Sequence, residues 1–259
     1  MRVGVVSDVG KRRATNEDGY LVKNPVFAVA DGMGGHSAGE VASAIALKTV
    51  KSNLRKIPDP EAMPELLVRS IEDANTAIFQ KSEAKAEQRG MGTTLTVAVL
   101  IRKQFFFGHI GDSRAYLLRE GKLSQLTEDH SYVSELVKEG MLSPQEAEVH
   151  PQRSVLTRAL GVERKVQIDI SSLEIMLRDK ILLCTDGLTA MLGDPEIEEM
   201  LNNPDDPQII CQRLVDTANQ RGGDDNITVI LIEMDQTSNQ SKKIPRWKRL
   251  LFGLLGPVQ

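Results

Sequence analysis

The sequence contains few cysteines and no long apolar segment. Its 259 residues include only Cys184 and Cys211, which lie in apolar stretches without CxxC spacing, so neither a disulfide framework nor a zinc knuckle is expected. No run of 18 apolar residues occurs, and residues 1–6 lack a basic segment followed by a long apolar core. The sequence therefore predicts neither a membrane span nor a secretory signal, and it favours the reducing cytoplasm.

Several enzyme classes are excluded because their signature motifs are missing. The chain has no HExxH zinc motif, and no Gly-Lys pair is followed by the Ser or Thr that a P-loop requires. A cysteine phosphatase needs Arg six residues after its Cys, but Ala190 and Thr217 hold those positions. Segment 32–37 (GMGGHS) nearly matches the dinucleotide fingerprint GxGxxG, yet its third Gly is Ser, and Asp31 would face a pyrophosphate. Glycines that let the backbone pass close to something bound at Asp31 explain this segment better.

The formal net charge of −4 is unevenly distributed along the chain. The last 18 residues carry five Lys or Arg and no acid, which leaves −9 on the rest of the chain. An acidic body argues against a nucleic-acid surface, so no nucleic-acid partner is expected. If function uses many carboxylates, a hard divalent cation is the partner to expect.

Segments with strand-like and helix-like patterns occur in groups. Strands are predicted at 26–30, 105–110, 114–118, 180–185 and 227–232, and helices at 38–54, 61–88 and 206–220. Because strands and helices alternate little, the order favours an α+β fold in which helices cover mostly antiparallel sheets. Between residues 127 and 163 the pattern changes to short helical pieces, which indicates an insertion packed on the main body.

Acidic residues adjoin several of these strands. Asp31, Asp112 and Asp186 lie in Asp-Gly or Gly-Asp pairs at strand ends, and Asp225 precedes the last strand. Taken alone, each pair is ordinary β-turn or helix-cap composition. Together with nearby acids at 17 and 18, these carboxylates can converge at one end of the sheets, where cations would offset their repulsion. Oxygen ligands favour Mg²⁺ or Mn²⁺ over zinc.

Six motifs follow one another along the chain. They are SDVGKRRATNED (7–18), FAVADGMGGHSAGE (27–40), GMGTTL (90–95), HIGDSRAY (109–116), LLCTDGL (182–188) and GGDDNITVI (222–230). In this order they resemble the bacterial metal-dependent Ser/Thr protein phosphatases of type 2C. The resemblance implies two antiparallel β-sheets packed as a sandwich and flanked by helices on both sides. It places a catalytic domain at 1–235 with a flap insertion at about 127–163, a linker at 236–241 and a basic, apolar tail at 242–259.

The resemblance also implies a site with two tightly bound Mn²⁺ or Mg²⁺ ions and a weaker third. By motif position, Asp31 would bridge two metals and Gly32 would offer its backbone carbonyl. The other implied ligands are Asp186 and Asp225 on one metal, Glu17 and Asp18 directly or through water, and Asp112 on the third metal. Arg13 matches the phosphate-binding arginine, and the residues expected to act in catalysis are Arg13, Asp31 and Asp186.

The implied reaction is hydrolysis of phosphoserine and phosphothreonine by a water that bridges the two metals. Such a water is acidified enough to attack phosphorus in line without a covalent phosphoenzyme, and a guanidinium suits bidentate phosphate binding. Animal members of the family carry a His directly after the Asp-Gly pair as the proposed proton donor, but here that residue is Met33. Either a metal-bound water or His36 would supply the proton, and a helix cap is the alternative role for His36.

Other polar residues have ordinary structural interpretations. The expectations are a hydrogen-bonded core or ligand-supporting role for His109, a helix cap at Asp129-His130-Ser131, plain core packing for Cys184, and packing at a strand start for Thr93 and Thr94.

Three functions are considered. The first is a monomeric cytoplasmic phosphatase that acts on phosphorylated proteins, against one or more Ser/Thr kinases. The others are an inactive phosphoprotein-binding regulator on the same fold and a hydrolase of small phosphate esters. No matched metal position is lost, which disfavours the regulator. The tail at 242–259 is interpreted as a peripheral contact with an anionic membrane surface, a partner-docking segment or a disordered end.

Overall fold

The protein forms a two-layer β-sandwich with helices on both outer faces. This is a computed structural model, and it describes residues 1–34, 38–57, 59–84 and 86–235. Two five-stranded antiparallel sheets pack face to face, which confirms the predicted α+β sandwich. His36 and the predicted linker and tail, residues 236–259, lie outside the described residues.

The elements have the following bounds. The strands are β1 (Arg2–Asp8), β2 (Gly19–Lys23), β3 (Val26–Ala30), β4 (Gly32–Met33), β5 (Gly92–Thr93), β6 (Leu95–Ile101), β7 (Gln104–Ile110), β8 (Arg114–Arg119), β9 (Lys122–Gln125), β10 (Asp169–Glu174), β11 (Lys180–Cys184) and β12 (Ile227–Glu233). The helices are α1 (Ala38–Asn53), α2 (Met63–Ala84), α3 (Tyr132–Lys138), α4 (Pro144–Glu148), α5 (Asp186–Thr189), α6 (Asp194–Asn202) and α7 (Pro207–Gln220). One sheet has the order β1-β12-β11-β8-β9, the other has the order β10-β7-β6-β3-β2, and β4 pairs with β5.

The central strands are apolar along their whole length because they are buried on both faces. In β3, Val26, Ala28 and Ala30 face α1 and α2, whereas Phe27 and Val29 enter the core between the sheets. Strand β12 divides in the same way, with Val229 and Leu231 toward the helices and Ile230 and Ile232 between the sheets. Double burial produces continuous apolar runs rather than alternation.

The helices cover the outer face of each sheet. Helices α1 and α2 pack on the sheet that contains β3, and α5, α6 and α7 pack on the sheet that contains β12. Helix α7 begins as the sequence predicts, since the Asp206 side chain accepts a 2.9 Å hydrogen bond from the amide of Gln208. Among the described helices, none is long and apolar enough to cross a membrane.

The segment at 127–163 contains the short helical pieces that the sequence predicts. The Ser131 hydroxyl caps α3 by accepting from the amide of Ser134, and Ser143 and Glu146 form a capping box at the start of α4. Strand-like bridges join Ser131 to Leu156 within the segment and Leu160 to Thr93 on the body of the protein. The sequence prediction of a helix cap at 129–131 is therefore confirmed at Ser131.

Candidate active site

The predicted acidic residues gather at one end of the sandwich because the antiparallel pairing brings the right strand ends together. Gly19, the first residue of β2, pairs with Ala30, so Asp18 and Asp31 occupy neighbouring positions. On the other sheet, Cys184 at the end of β11 pairs with Val229 near the start of β12. This register brings the residues after β11 close to the residues before β12, where Asp186 and Asp225 lie.

Asp31 is held by the two threonines at 93 and 94. The Thr94 hydroxyl accepts from the Asp31 amide at 2.9 Å, and the Asp31 carbonyl accepts from the Thr94 amide and the Thr93 hydroxyl, both at 2.8 Å. The expectation that these threonines only pack a strand start was therefore incomplete. They fix the backbone of Asp31, which leaves its carboxylate aimed at the other acids.

Gly32 lies where two chain segments cross at very short distance. A Cβ atom on Gly32 would stand 2.2 Å from the Gly39 carbonyl oxygen and 2.6 Å from the Glu17 carbonyl oxygen. Only glycine fits this crossing, which seats the start of α1 against the acid-bearing loop at 17–18. The glycines thus allow two segments of the chain to pack closely together, and they also leave space beside Asp31.

The charged form of the Asp18 carboxyl group is energetically unfavourable at its position. Its Oδ2 accepts a 2.8 Å hydrogen bond from the Thr185 hydroxyl, but its Oδ1 is buried without a hydrogen-bond partner in the structure. Burial, together with the negative charges of Asp186 and Asp225, raises the pKa of Asp18 to about 7 against the lowering effect of threonine hydrogen bonds. The chain therefore prefers a neutral Asp18 or a cation beside it.

The charged carboxyl groups of Asp186 and Asp31 are also energetically unfavourable. Asp186 is the first residue of α5, and its Oδ1 is also buried without a hydrogen-bond partner. The negative charge of Asp186 is among the causes that raise the pKa of Asp31. Burial is the main reason that the pKa of each lies above its ordinary value, and nearby carboxylates add to it.

Asp112 and Glu17 belong to the same electrostatic group. Burial raises the pKa of Asp112 well above its ordinary value, and the negative charges of Asp186 and Asp129 add to this effect. Burial also raises the pKa of Glu17, although the positive charge of Arg13 opposes it. Both predicted ligands therefore lie in the field of the central cluster.

Arg13 and Asp225 meet at the solvent side of the cluster. An Arg13 guanidinium nitrogen donates to Asp225 Oδ2 at 2.7 Å, and the Arg13 side chain is 53% exposed. The hydrogen bond and the charge of Asp225 both raise the pKa of Arg13. A half-exposed guanidinium anchored by one acid still has donors available for an anion that arrives from solvent.

Asn226 is a supporting residue that the sequence analysis missed. Its Nδ2 donates to the carbonyls of Val9 (2.9 Å) and Thr15 (3.0 Å), and its Oδ1 accepts from the Glu17 amide at 2.8 Å. The buried side chain thus holds the loop that carries Arg13 and Glu17 against the start of β12. The only signal in the sequence is its place directly after Asp225.

His109 and Cys184 have the ordinary structural roles that the sequence predicts. His109 is buried, its Nδ1 faces the Thr96 hydroxyl, and its Nε2 faces the Glu128 carbonyl, each at 2.9 Å. Burial lowers the pKa of His109 to about 3, so the ring is neutral. Cys184 is buried in the core, where burial raises its pKa to about 12. The expectations of a hydrogen-bonded histidine and a core cysteine are confirmed.

The donor set fits divalent cations that keep part of their water. Two buried carboxylate oxygens without partners, on Asp18 and Asp186, together with the nearby charge of Asp31, mark a place where positive charge would be stabilised. Among the described residues, no three His, Cys, Asp or Glu side chains form a ready-made ligand shell. Mg²⁺ typically retains several waters and binds through one or two carboxylates, and the all-oxygen donors disfavour zinc.

Comparison with known proteins places this chain in a family. Residues 12–231 match the model of the family described as Protein phosphatase 2C. The chain belongs to the protein phosphatase 2C family. It is 41% identical over 239 residues to the serine/threonine phosphatase stp of Listeria monocytogenes serotype 4b (strain F2365), covering 89% of this chain and 95% of that protein.

Solved structures agree with this assignment. The Mycobacterium tuberculosis serine/threonine phosphatase PstP/Ppp matches with a TM-score of 0.86 and 38% identity, over 90% of this chain and 98% of that one. A PstP catalytic domain in complex with two manganese ions matches with a TM-score of 0.83 and 36% identity, over the same shares of 90% and 98%. The predicted family and fold are confirmed.

Proposed function

We propose that this chain hydrolyses phosphoserine and phosphothreonine esters on proteins with the help of Mn²⁺ or Mg²⁺. The observation that carries the proposal is the cluster of Asp18, Asp31 and Asp186, which is partly buried, mutually repulsive and incompletely hydrogen-bonded. Such a cluster costs stability unless cations bind it. Membership of the protein phosphatase 2C family and the two manganese ions of the related PstP domain support this function.

The proposed ligand assignment is the one that the family resemblance implies, and the electrostatic coupling among the acids supports it. The charges of Asp18, Asp186 and Asp112 all act on Asp31, which would contact both metals, with the Gly32 carbonyl beside it. The remaining ligands would be Asp186 and Asp225 on one metal, Glu17 and Asp18 directly or through water, and Asp112 on a weaker third metal. When bound, the two central ions would neutralise the acids and acidify the water that attacks phosphorus.

Arg13 would bind the phosphate oxygens of the substrate. Its ion pair with Asp225 holds the guanidinium at the mouth of the site, and its exposed nitrogens remain able to donate to an incoming phosphate. The guanidinium thereby orients the ester for in-line attack. For the leaving alcohol, His36 or a water at the site is the proposed proton donor, because His109 has both ring nitrogens engaged in hydrogen bonds.

Hydrolysis of a phosphothreonine peptide tests this function directly. The protein should release phosphate with Mn²⁺ and lose that activity when a chelator is added in excess. Asp186→Asn, checked for an intact fold by circular dichroism, serves as the matched control and should lose at least about 100-fold in turnover. An active protein in the presence of chelator, or an active Asp186→Asn variant, would contradict the metal assignment. Hydrolysis of small esters alone would favour the small-molecule hydrolase instead.

The finer proposals concern where and with what the enzyme works. We propose a monomer that opposes one or more Ser/Thr kinases, with residues 242–259 in peripheral contact with an anionic membrane surface. Five basic residues lie at 242–249, with Trp247 among them and an apolar stretch that includes Phe252 after them. Co-sedimentation with anionic vesicles at low and high salt tests the contact. A chain truncated after residue 241 should sediment less than the full chain, and equal sedimentation would contradict membrane binding.

A further inference from the structure

His130 occupies a buried position between the turn that carries Asp112 and the segment at 155–158. Its ring is 3% exposed, and its Nδ1 lies 3.1 Å from the amide nitrogen of Gly111. Since a backbone N–H can only donate, Nδ1 is the acceptor and a neutral ring carries its proton on Nε2. That nitrogen lies 3.1 Å from Asp169 Oδ2, so the imidazole donates to Asp169.

The backbone of His130 is also hydrogen-bonded to Gly111 and to the 155–158 segment. Its amide donates to the Gly111 carbonyl at 2.8 Å, and its carbonyl accepts from the Thr157 amide at 2.9 Å. The next residue of the segment, Arg158, places a guanidinium nitrogen 3.3 Å from Asp169 Oδ1. His130 is therefore bonded to the Gly111 turn on one side and, through Thr157 and Asp169, to the 155–158 segment on the other.

The Gly111 turn also packs closely against Thr94, a residue that supports the central cluster. Gly111 has φ +104°, and a Cβ on it would stand 2.5 Å from Thr94 Cγ2. Thr94 is the residue whose hydroxyl accepts from the Asp31 amide. The turn before Asp112 is thus packed between Thr94, which is tied to Asp31, and His130, which is tied to the 155–158 segment.

We propose that His130 is a positioning residue that ties Asp112 to the 155–158 segment and thereby sets the affinity of Asp112 for its divalent cation. This rests on the metal role that the proposed function gives to Asp112. The hydrogen bond from the Gly111 amide fixes the peptide immediately before Asp112, and the bond to Asp169 fixes the ring. Groups that orient metal ligands without touching the metal strongly influence metal affinity. Burial keeps the imidazole neutral by lowering its pKa, which preserves Nδ1 as an acceptor.

Two substitutions separate the two hydrogen bonds of the ring. His130→Asn places an acceptor near the position of Nδ1 and should keep the bond from Gly111, whereas His130→Gln reaches toward Asp169 and should lose it. Mn²⁺ titration calorimetry should show a weakest site weakened about tenfold or more in His130→Gln and only about threefold or less in His130→Asn. The two tighter sites should remain unchanged in both variants. His130→Ala, if folded, should behave as His130→Gln.

Amide hydrogen exchange on the metal-free protein gives a second readout that does not depend on catalysis. Peptides that contain Gly111 should exchange faster in His130→Gln than in the wild type, and His130→Asn should restore their protection. Equal weakening of all Mn²⁺ sites, an unchanged weakest site in His130→Gln, or equal effects of the two substitutions would overturn the proposal. A wild-type protein that binds only two ions would also overturn it, while leaving Mn²⁺-dependent peptide hydrolysis intact as support for the proposed function.

Discussion

Replacing Asp18 by Asn should stabilise the metal-free protein while impairing its response to metal. Asp18 Oδ1 is buried without a partner, and the neighbouring carboxylates raise the cost of its charge. A pKa of about 7 in place of the ordinary 3.8 means that an ionised Asp18 costs roughly 4 kcal/mol of folding free energy. The amide carries no charge and keeps an acceptor for the Thr185 hydroxyl, so we expect a gain of about 2 kcal/mol or more.

This gain should depend on pH in a defined direction. Because the pKa of Asp18 is higher in the folded protein, the folded state holds more protons than the unfolded chain between pH 3.8 and about 7. The stability of the wild type should therefore fall as the pH rises through this range, and the Asn variant should lack that part of the loss. Near pH 4 the two proteins should have similar stability, and at pH 8 the difference should be largest.

Thermal unfolding with and without Mn²⁺ measures both effects. At pH 8 without metal, the Tm of Asp18→Asn should exceed that of the wild type by about 4 °C or more. Mn²⁺ at 100 times Kd should stabilise the wild type by about 2.7 kcal/mol and raise its Tm accordingly. The Tm of the variant should rise less. Asp179→Asn is the matched control, since the buried Asp179 is paired bidentately with Arg119, and this change should lower Tm. A metal-free Asp18→Asn protein that is less stable than the wild type at pH 8 would refute the reasoning.

Three further predictions concern the surroundings of the cluster. Arg13→Ala should raise KM for a small phosphate ester more than it lowers kcat, because the arginine already contacts the phosphate in the ground state. An unchanged KM in steady-state kinetics would assign phosphate binding to another residue. His36→Ala should cost less than about tenfold in kcat if water is the proton donor, whereas a loss near a thousandfold would make the histidine the acid. Asn226→Ala leaves three partly buried backbone groups without their side-chain partner, so it should lose about 2–4 kcal/mol of stability in urea unfolding and weaken Mn²⁺ binding. A loss within about 0.5 kcal/mol, the size of a neutral surface change, would contradict its supporting role.

The sandwich could be predicted from the sequence where strands are buried on both sides. Strands β3 and β11 read as unbroken apolar runs, and the predicted bounds differ from the observed ones by at most one residue. The edge strands β2 and β10 were not predicted, because at most one of the five or six residues in each is buried, and the buried strand β6 was also missed. Helix α2 is shorter than the predicted 61–88, with 3₁₀ turns at Pro60–Ala62 and Ala86–Gln88 beside it.

The acids of the site could be predicted because each adjoins a strand end, and strand ends in antiparallel sheets meet. The residues that support them could not, since Thr94 and Asn226 are neutral and acquire a role only through contacts 63 and 209 residues away, with Asp31 and Glu17. A neutral hydrogen-bonding side chain in an apolar segment has many ordinary explanations. Its specific role depends on which distant backbone group it meets.

The acids and the residues that support them differ because folding and metal binding make opposite demands on buried polar groups. Folding favours neutral, fully hydrogen-bonded groups at buried positions, and Thr94 and Asn226 meet that demand. A metal site requires the opposite, namely buried oxygens that lack a protein partner, as Asp18 and Asp186 do. The rigid neutral contacts keep the acids from moving apart to relieve their repulsion, so the unfavourable charge of the metal-free cluster persists until cations bind. The same contacts that stabilise this end of the sandwich therefore supply the free-energy difference that favours metal binding.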